Sequence, residues 1–291
     1  MNLGSTFMEK KLSTTFLSNA EFEKLSRFIY AQCGIKLTTA KKNMVEARLR
    51  KRLKDLEMNS YSEYCEYIFS RDVDDSEILK MVDVITTNKT DFFREPKQFD
   101  FLNETALPEL INLDRTGINR PLRVWSAGCS TGEEPYTLSI VINEFANKIN
   151  NYSFNILATD ISTRVLEKAK LAIYDQDRVE PVPEDLLKKY FLRSKDKLKN
   201  LVRLVPEIRN TINFQWFNLM ENDFGFKERF DIIFCRNVII YFDKPTQDKL
   251  IAKLISHIRP GGYLFLGHSE SIFNTNLPIA QMMASTYRVI R

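Results

Sequence analysis

LRVWSAGCSTGEEPY, residues 122–136, decides how the chain folds. LRVWSA is an apolar run of strand length. Gly128 and Gly132 then bracket a turn, and a helix begins near Glu133. Glycines at such a turn let the backbone approach a ligand and bring helix N-terminal N–H donors beside it. The spacing G-x-x-x-G is neither the G-x-G-x-x-G of dinucleotide enzymes nor the G-x-x-x-x-G-K-[ST] of nucleotide triphosphatases. Two adjacent carboxylates, Glu133 and Glu134, stand at the mouth, where they would repel phosphate and suit a cation. A plain strand-to-helix loop looks the same, so the turn alone leaves both readings open.

Further apolar runs of strand length follow: FNILATD (154–160), INFQWFNL (212–219), FDIIFC (230–235), GYLFLGH (262–268) and TYRVIR (286–291). Helical patterns at 133–149, 162–172, 184–191 and 245–258 separate them. Strands alternating with helices predict an α/β fold, with a mainly parallel sheet covered on both faces. The last two strands are joined too closely for a parallel crossover, so one is expected to be antiparallel. The charged stretch 191–211, with a short LVRLV run, reads as a small β insertion.

Open α/β sheets bind ligands at the carboxyl ends of their strands. Asp160 closes the second strand, where a carboxylate can accept both hydroxyl hydrogens of a ribose. The plain alternative is a cap for the helix at Ser162. Asn218 and Leu219 close the next strand, where an amide can read an adenine edge, and Cys235, Arg236 and Asn237 close the one after. A ligand with ribose, adenine and positive charge is S-adenosylmethionine. The loop FDIIFCRNVIIYF lacks the [DN]-P-P-[YF] of enzymes that methylate base amino groups, and Cys235 lacks the proline of cytosine-C5 enzymes. Cys235 reads as a packing residue.

The first 85 residues read as helical, with no convincing strand. Ser18 to Glu21 has capping-box spacing, Phe22, Leu25, Phe28 and Ile29 follow at helical intervals, and Gly34 suits the left-handed turn that ends a helix. A second helix is expected over about 41–57, with the stripe Val45, Leu49, Leu53, Leu56, and short helices near 61–69 and 75–85. The domains are expected at 1–85 (all-α), 86–95 (linker) and 96–291 (α/β). The linker TTNKTDFFRE is rich in threonine and aromatics, unlike a passive Gly/Ser tether. Between Lys41 and Lys54 lie seven basic residues and one acid, Glu46, with Lys41, Arg48, Lys51 and Arg52 in one sector. Such a run is commonly a solvated face; it also suits an acidic partner. Nucleic acid is the rival partner, without aromatic interleaving to support it.

The 291 residues, 44% hydrophobic and 27% charged, are those of a soluble globular chain with no membrane-length apolar run. MNLGSTFMEKKLSTTF lacks the apolar core of a secretory signal, which makes the cytoplasm the default. Four scattered cysteines and two histidines, His257 and His268, predict no metal site. His257 reads as structural, and His268 borders a strand end. The net charge of +4 identifies no partner, and a monomer is the default state.

TTNKTDFFRE (86–95), RVWSAGCSTGEEPYTL (123–138), ATDIS (158–162), FDIIFCRNVIIYFDKPTQ (230–247) and RPGGYLFLGHSES (259–271) together resemble the CheR-type chemotaxis receptor methyltransferases. The resemblance implies a Rossmann-like class I S-adenosylmethionine-dependent methyltransferase sheet with a small β insertion, preceded by an all-α N-terminal domain. It implies methyl esterification of glutamates on the cytoplasmic helices of methyl-accepting chemotaxis receptors, without nucleic acid or membrane insertion. It assigns cofactor contacts to Asn88, Thr90, Arg94, Glu134, Asp160, Asn218, Leu219, Arg236 and Asn237. Arg94 and Tyr241 fall nearest the reacting methyl, and Lys41, Arg48 and Lys54 fall on the substrate-recognition helix. On that reading the linker covers the cofactor. A glutamate, ionised at neutral pH, needs no general base. The rivals are the same fold acting on RNA or a small molecule, and a non-catalytic module binding S-adenosylmethionine. Without the resemblance, Arg94 reads as a surface ion pair and Tyr241 as core packing.

Overall fold

A computed structural model describes residues 16–196, 198–272 and 276–290. The N-terminal stretch read for a signal peptide lies outside them up to residue 15, as do Lys197 in the expected insertion and Arg291 at the end of the last expected strand. The chain divides into two compact units, one reaching Gln32 and continuing over Lys36–Thr86, the other comprising Cys33–Ile35 and Thr87–Arg291.

The first unit is helical: α1 (Asn19–Cys33), a 3-10 turn (Thr39–Lys41), α2 (Lys42–Asp55), α3 (Tyr61–Ile68) and α4 (Asp75–Ile85). The capping box forms as its spacing predicts. Ser18 N–H donates to Glu21 (2.7 Å), and Glu21 N–H donates to Ser18 Oγ (3.2 Å). Gly34 takes φ +72 after α1, and Asp74 caps α4 through Ser76 N–H. Leu25, Ile29, Val45, Leu49, Leu53, Ile68 and Met81 fill the core. Inside it Arg52 pairs with Glu77 (Nε to Oε1, 2.9 Å), and Tyr64 donates its hydroxyl to the same carboxylate (3.1 Å). Removing charge from water is offset here by two-pronged pairing and a third donor.

The second unit opens with α5 (Pro96–Phe101), a π-turn (Leu102–Ala106) and α6 (Leu107–Asp114). None of these was among the expected elements, although Phe99, Leu102, Ala106 and Leu110 recur near helical spacing and are buried. Then come β1 (Leu122–Ala127), α7 (Glu133–Ala146), β2 (Phe154–Asp160), α8 (Thr163–Leu171), β3 (Ile173–Asp175), α9 (Glu184–Tyr190), β4 (Phe191–Arg193), β5 (Leu201–Leu204), α10 (Pro206–Arg209), β6 (Ile212–Trp216), β7 (Phe230–Cys235), α11 (Lys244–Ser256), β8 (Ile258–Leu266), β9 (Ile279–Met283) and β10 (Thr286–Val289). The main sheet has the order β6-β2-β1-β7-β8-β10-β9. Pairing is parallel from β6 to β8, and β10 runs antiparallel to both β8 and β9.

Strand alternation sorts the core onto two faces. Trp125, Ile233, Cys235 and Leu264 pack with Leu250 and Leu254 of α11. Val124, Ile232, Phe234 and Phe265 pack with Phe99, Leu102, Leu138 and Ile142 of α5, the π-turn and α7. Cys235 is fully buried, in keeping with a packing role. From β1 the chain runs outward through β2 to β6, then returns to β7 on the other side of β1. The crevice at the carboxyl ends of β1 and β7 is therefore the topological switch point, where such sheets bind ligands.

Three local expectations are corrected. The insertion is a three-stranded sheet, β3-β5-β4, that starts at Ile173 rather than at 191, because a three-residue strand carries no period to read. β9 is an additional, half-exposed edge strand between the last two expected ones. β6 ends at Trp216, which leaves Asn218 and Leu219 in the following loop. The Asn218 side-chain carbonyl accepts Met220 N–H (3.0 Å), an Asx turn that ends the extended run.

Candidate active site

The turn after β1 is tied to the end of β2: Thr159 C=O accepts the N–H groups of Gly128 (2.8 Å) and Cys129 (2.9 Å). Gly128 has φ +84, and a Cβ on it would lie 2.4 Å from Val238 Cγ2, so the turn can meet the loop after β7 only without a side chain. Asp160 is held by two backbone donors, Ser130 N–H to Oδ2 (2.8 Å) and Ser162 N–H to Oδ1 (2.9 Å). One donor on each oxygen fixes the plane of the carboxylate. The cap of α8 is Ser162, whose Oγ accepts Val165 N–H, rather than Asp160.

The paired glutamates separate. Successive helical residues point about 100° apart. Glu133 turns away, is 1% exposed, and takes Arg178 Nη2 (2.7 Å) and the Thr131 hydroxyl (2.6 Å). Glu134 Oε1 accepts Ser126 Oγ (2.8 Å), and its Oε2 lies 3.6 Å from Arg236 Nη1. The mouth therefore presents one of the two expected carboxylates, Glu134. Burial pushes its carboxyl above the ordinary range, against the pull of Arg236 and Ser126. The Arg236 side chain is 2% exposed, lies within 5.3 and 5.9 Å of the Phe99 and Phe234 ring centroids, pairs with Glu95 (3.2 Å), and donates to Arg94 C=O.

The segment expected to be the linker belongs to this unit from Thr87 onward. Asn88 C=O accepts Ser130 Oγ (2.8 Å), Thr90 C=O accepts Arg178 Nη2 (2.5 Å), and Phe93 N–H donates to Thr137 Oγ1 (3.2 Å). The Arg94 side chain is partly exposed, with Nη1 on Lys89 C=O (3.3 Å) and Nε 4.0 Å from Glu95. Phe93, Glu95, Ser130 and Asn237 all adopt left-handed backbone without being glycine (φ +49 to +61). Four such residues around one crevice mark stored backbone strain, which clusters at functional sites.

Asn237 opens the loop after β7. Glu270, 3% exposed, accepts the N–H groups of Asn237 (2.8 Å), Gly267 (2.6 Å) and Ile240 (3.2 Å), and so locks that loop. Burial raises its carboxyl, while those N–H donors oppose the shift. Tyr241 ends the 3-10 turn Ile239–Tyr241 and packs, half-buried, on the α11 face of the core. His268 N–H donates to Glu95 (3.3 Å), and its Nε2 lies 3.8 Å from the same carboxylate. Sequence reasoning missed Arg178, Glu95 and Glu270, because each acts on residues far along the chain. Only GHSES, with its glycine and acid beside a strand end, offered a local signal.

In the helical unit the expected basic sector is split. Arg52 points inward to Glu77 and Asp55, because its position continues the buried stripe. Arg48 donates to the C=O groups of Ile85 (2.5 Å) and Thr86 (3.1 Å), capping α4. Lys41 lies on the 3-10 turn before α2, and Lys51 and Lys54 are exposed.

The strand order, the glycine turn at the switch point and the acid ending β2 define the Rossmann-like class I sheet of S-adenosylmethionine-dependent methyltransferases, here with a small β insertion and an all-α N-terminal unit. Residues 88–288 match the family described as CheR methyltransferase, SAM binding domain, and residues 20–86 match CheR methyltransferase, all-alpha domain. The chain belongs to the CheR methyltransferase family. It is 37% identical to a chemotaxis protein methyltransferase of Borreliella burgdorferi, over 94% of this chain and 95% of that one. It is 36% identical to chemotaxis protein methyltransferase 2 of Pseudomonas aeruginosa over 92% of each, and to the Escherichia coli chemotaxis protein methyltransferase over 88% and 85%. It is thus a methyltransferase that uses S-adenosylmethionine. The site fits that cofactor: two backbone donors orient Asp160 for a diol, and Glu134 brings an acid to the mouth beside Arg236. No helix among the described residues is long and apolar enough to cross a membrane.

Proposed function

We propose that the protein methylates glutamate side chains on the cytoplasmic helices of chemotaxis receptors, acting in the cytoplasm. The observation that carries the chemistry is the state of the acids around the crevice. Asp160 and Glu270 are held by backbone N–H groups, and Glu95, Glu133 and Glu134 by arginines or hydroxyls. An acceptor that arrives ionised needs none of them as a base. A glutamate does so at neutral pH. The relatives' chemotaxis names supply the setting.

When bound, S-adenosylmethionine supplies a methyl group on a sulfonium, which leaves as a neutral thioether as the acceptor oxygen bonds to carbon. The task left to the protein is in-line alignment. On this reading Asp160 holds the ribose and Asn218 and Leu219 flank the adenine. Glu134, Arg236 and Asn237 shape the amino-acid end, and Asn88, Thr90 and Arg94 close over it. Arg94, partly exposed and only loosely paired, holds the incoming carboxylate, and Tyr241 orients it. Lys41, Arg48 and Lys54 attract the glutamate-rich helices, where Arg48 must give up or share its grip on α4. The test is mass spectrometry of a purified receptor cytoplasmic fragment after incubation with enzyme and S-adenosylmethionine. Gain of methyl mass on glutamates supports the reading. Modification on lysine or on no residue at all would sink it.

A further inference from the structure

Arg178 belongs to none of the residue sets considered for the reaction, yet it joins three parts of the crevice wall. It sits on the 3-10 turn Gln176–Val179 that follows β3 of the insertion. Its Nη2 reaches both Glu133 (2.7 Å) and Thr90 C=O (2.5 Å), and its Nη1 reaches Asp91 (3.0 Å). Glu133 starts α7 immediately after the glycine turn, and its other oxygen holds Thr131 of that turn. Tyr174, on β3 itself, donates to Thr131 C=O (2.7 Å), so the insertion grips the turn at a second point. At the opposite end of the segment, Ser130 fastens Asn88.

We infer that Arg178 is a positioning residue for the cofactor, clamping residues 88–91 against the glycine turn so that the segment stays closed over the bound ligand. The inference rests on the cofactor placement given above, with Asn88 and Thr90 against the ligand. A planar guanidinium is required, because three acceptors on two chain segments must be met by a rigid fork; a lysine ammonium reaches them as a single point charge. The plainer role for Arg178 is to neutralise the buried Glu133 carboxylate and nothing more. The two roles separate in a double variant. Arg178→Ala with Glu133→Gln removes the stranded charge but leaves residues 90 and 91 unclamped.

The measurement is calorimetric affinity for S-adenosylhomocysteine on the full chain, with thermal unfolding alongside. Arg178→Ala should weaken binding about tenfold, a modest loss because the side chain is 41% exposed and its contacts are screened. Arg178→Lys should fall between Arg178→Ala and wild type. The double variant should regain thermal stability while still binding about tenfold more weakly. Wild-type affinity in the double variant would overturn the inference, since charge balance alone would then account for Arg178. Asp160→Ala separates the remaining failures. If it loses affinity while Arg178→Ala does not, the clamp is wrong and the cofactor placement stands; if neither loses affinity, both are wrong.

Discussion

Replacing Asp160 with alanine tests the site at its best-defined point. The carboxylate is fixed by Ser130 and Ser162 N–H at 2.8 and 2.9 Å, and its proposed ligands are the two ribose hydroxyls. A hydrogen bond to a charged group contributes about 1.5–3 kcal/mol. Two at the lower end give about 3 kcal/mol, or a Kd for S-adenosylhomocysteine raised about 150-fold. The protein itself should lose about 1–3 kcal/mol, because two backbone donors lose their acceptor at a site only 8% exposed. Asparagine is no mild substitute here, since one of its two side-chain positions becomes an NH2 facing a backbone N–H. Asp160→Asn should therefore bind at least as poorly as one lost hydrogen bond requires. Titration calorimetry measures the affinity, and thermal unfolding without ligand measures the stability cost. An affinity within twofold of wild type would refute the ribose role; a large loss of stability with normal affinity would leave Asp160 as a loop fastener.

Arg52→Ala strands the Glu77 carboxylate, 2% exposed, in the helical core and should cost about 3–5 kcal/mol. Arg52→Met with Glu77→Leu should cost much less, as read by denaturant unfolding. Burial raises the Glu134 carboxyl above the ordinary carboxylate range, so the fold favours the protonated form and loses that contribution as pH rises through the folded value. The melting temperature of Glu134→Gln should therefore climb relative to wild type as pH goes from acid to neutral; a constant difference would contradict the burial argument. Charge reversal at Lys41 and Lys54 should slow receptor methylation several-fold and leave cofactor affinity untouched. Arg48→Ala should in addition lower the melting temperature, because it uncaps α4.

What could be read in the sequence was what short-range physics writes there. β1, β2 and β7 are buried strands bounded by Gly128, Asp160 and Arg236, so run length and punctuation located both the sheet and its ligand end. The capping box at Ser18 and the stripe of α2 were legible for the same reason. β3 is three residues long and β9 is a half-exposed edge, and neither shows a usable period. Adjacent in sequence, Glu133 and Glu134 read as one pair of acids, but helical rotation sends Glu133 to Arg178, 45 residues away. Glu270 and Arg178 act across 33 and 88 residues, a pairing that only the folded chain creates.

The central claim is that the acceptor is a receptor glutamate. Transfer of labelled methyl from S-adenosylmethionine to membranes carrying chemoreceptors, followed by mild base, tests it most directly. Label is expected on the receptor band and is released by base as volatile methanol, as from a carboxyl ester. Bound cofactor with no receptor label, or label that survives base, would contradict it and point to another acceptor.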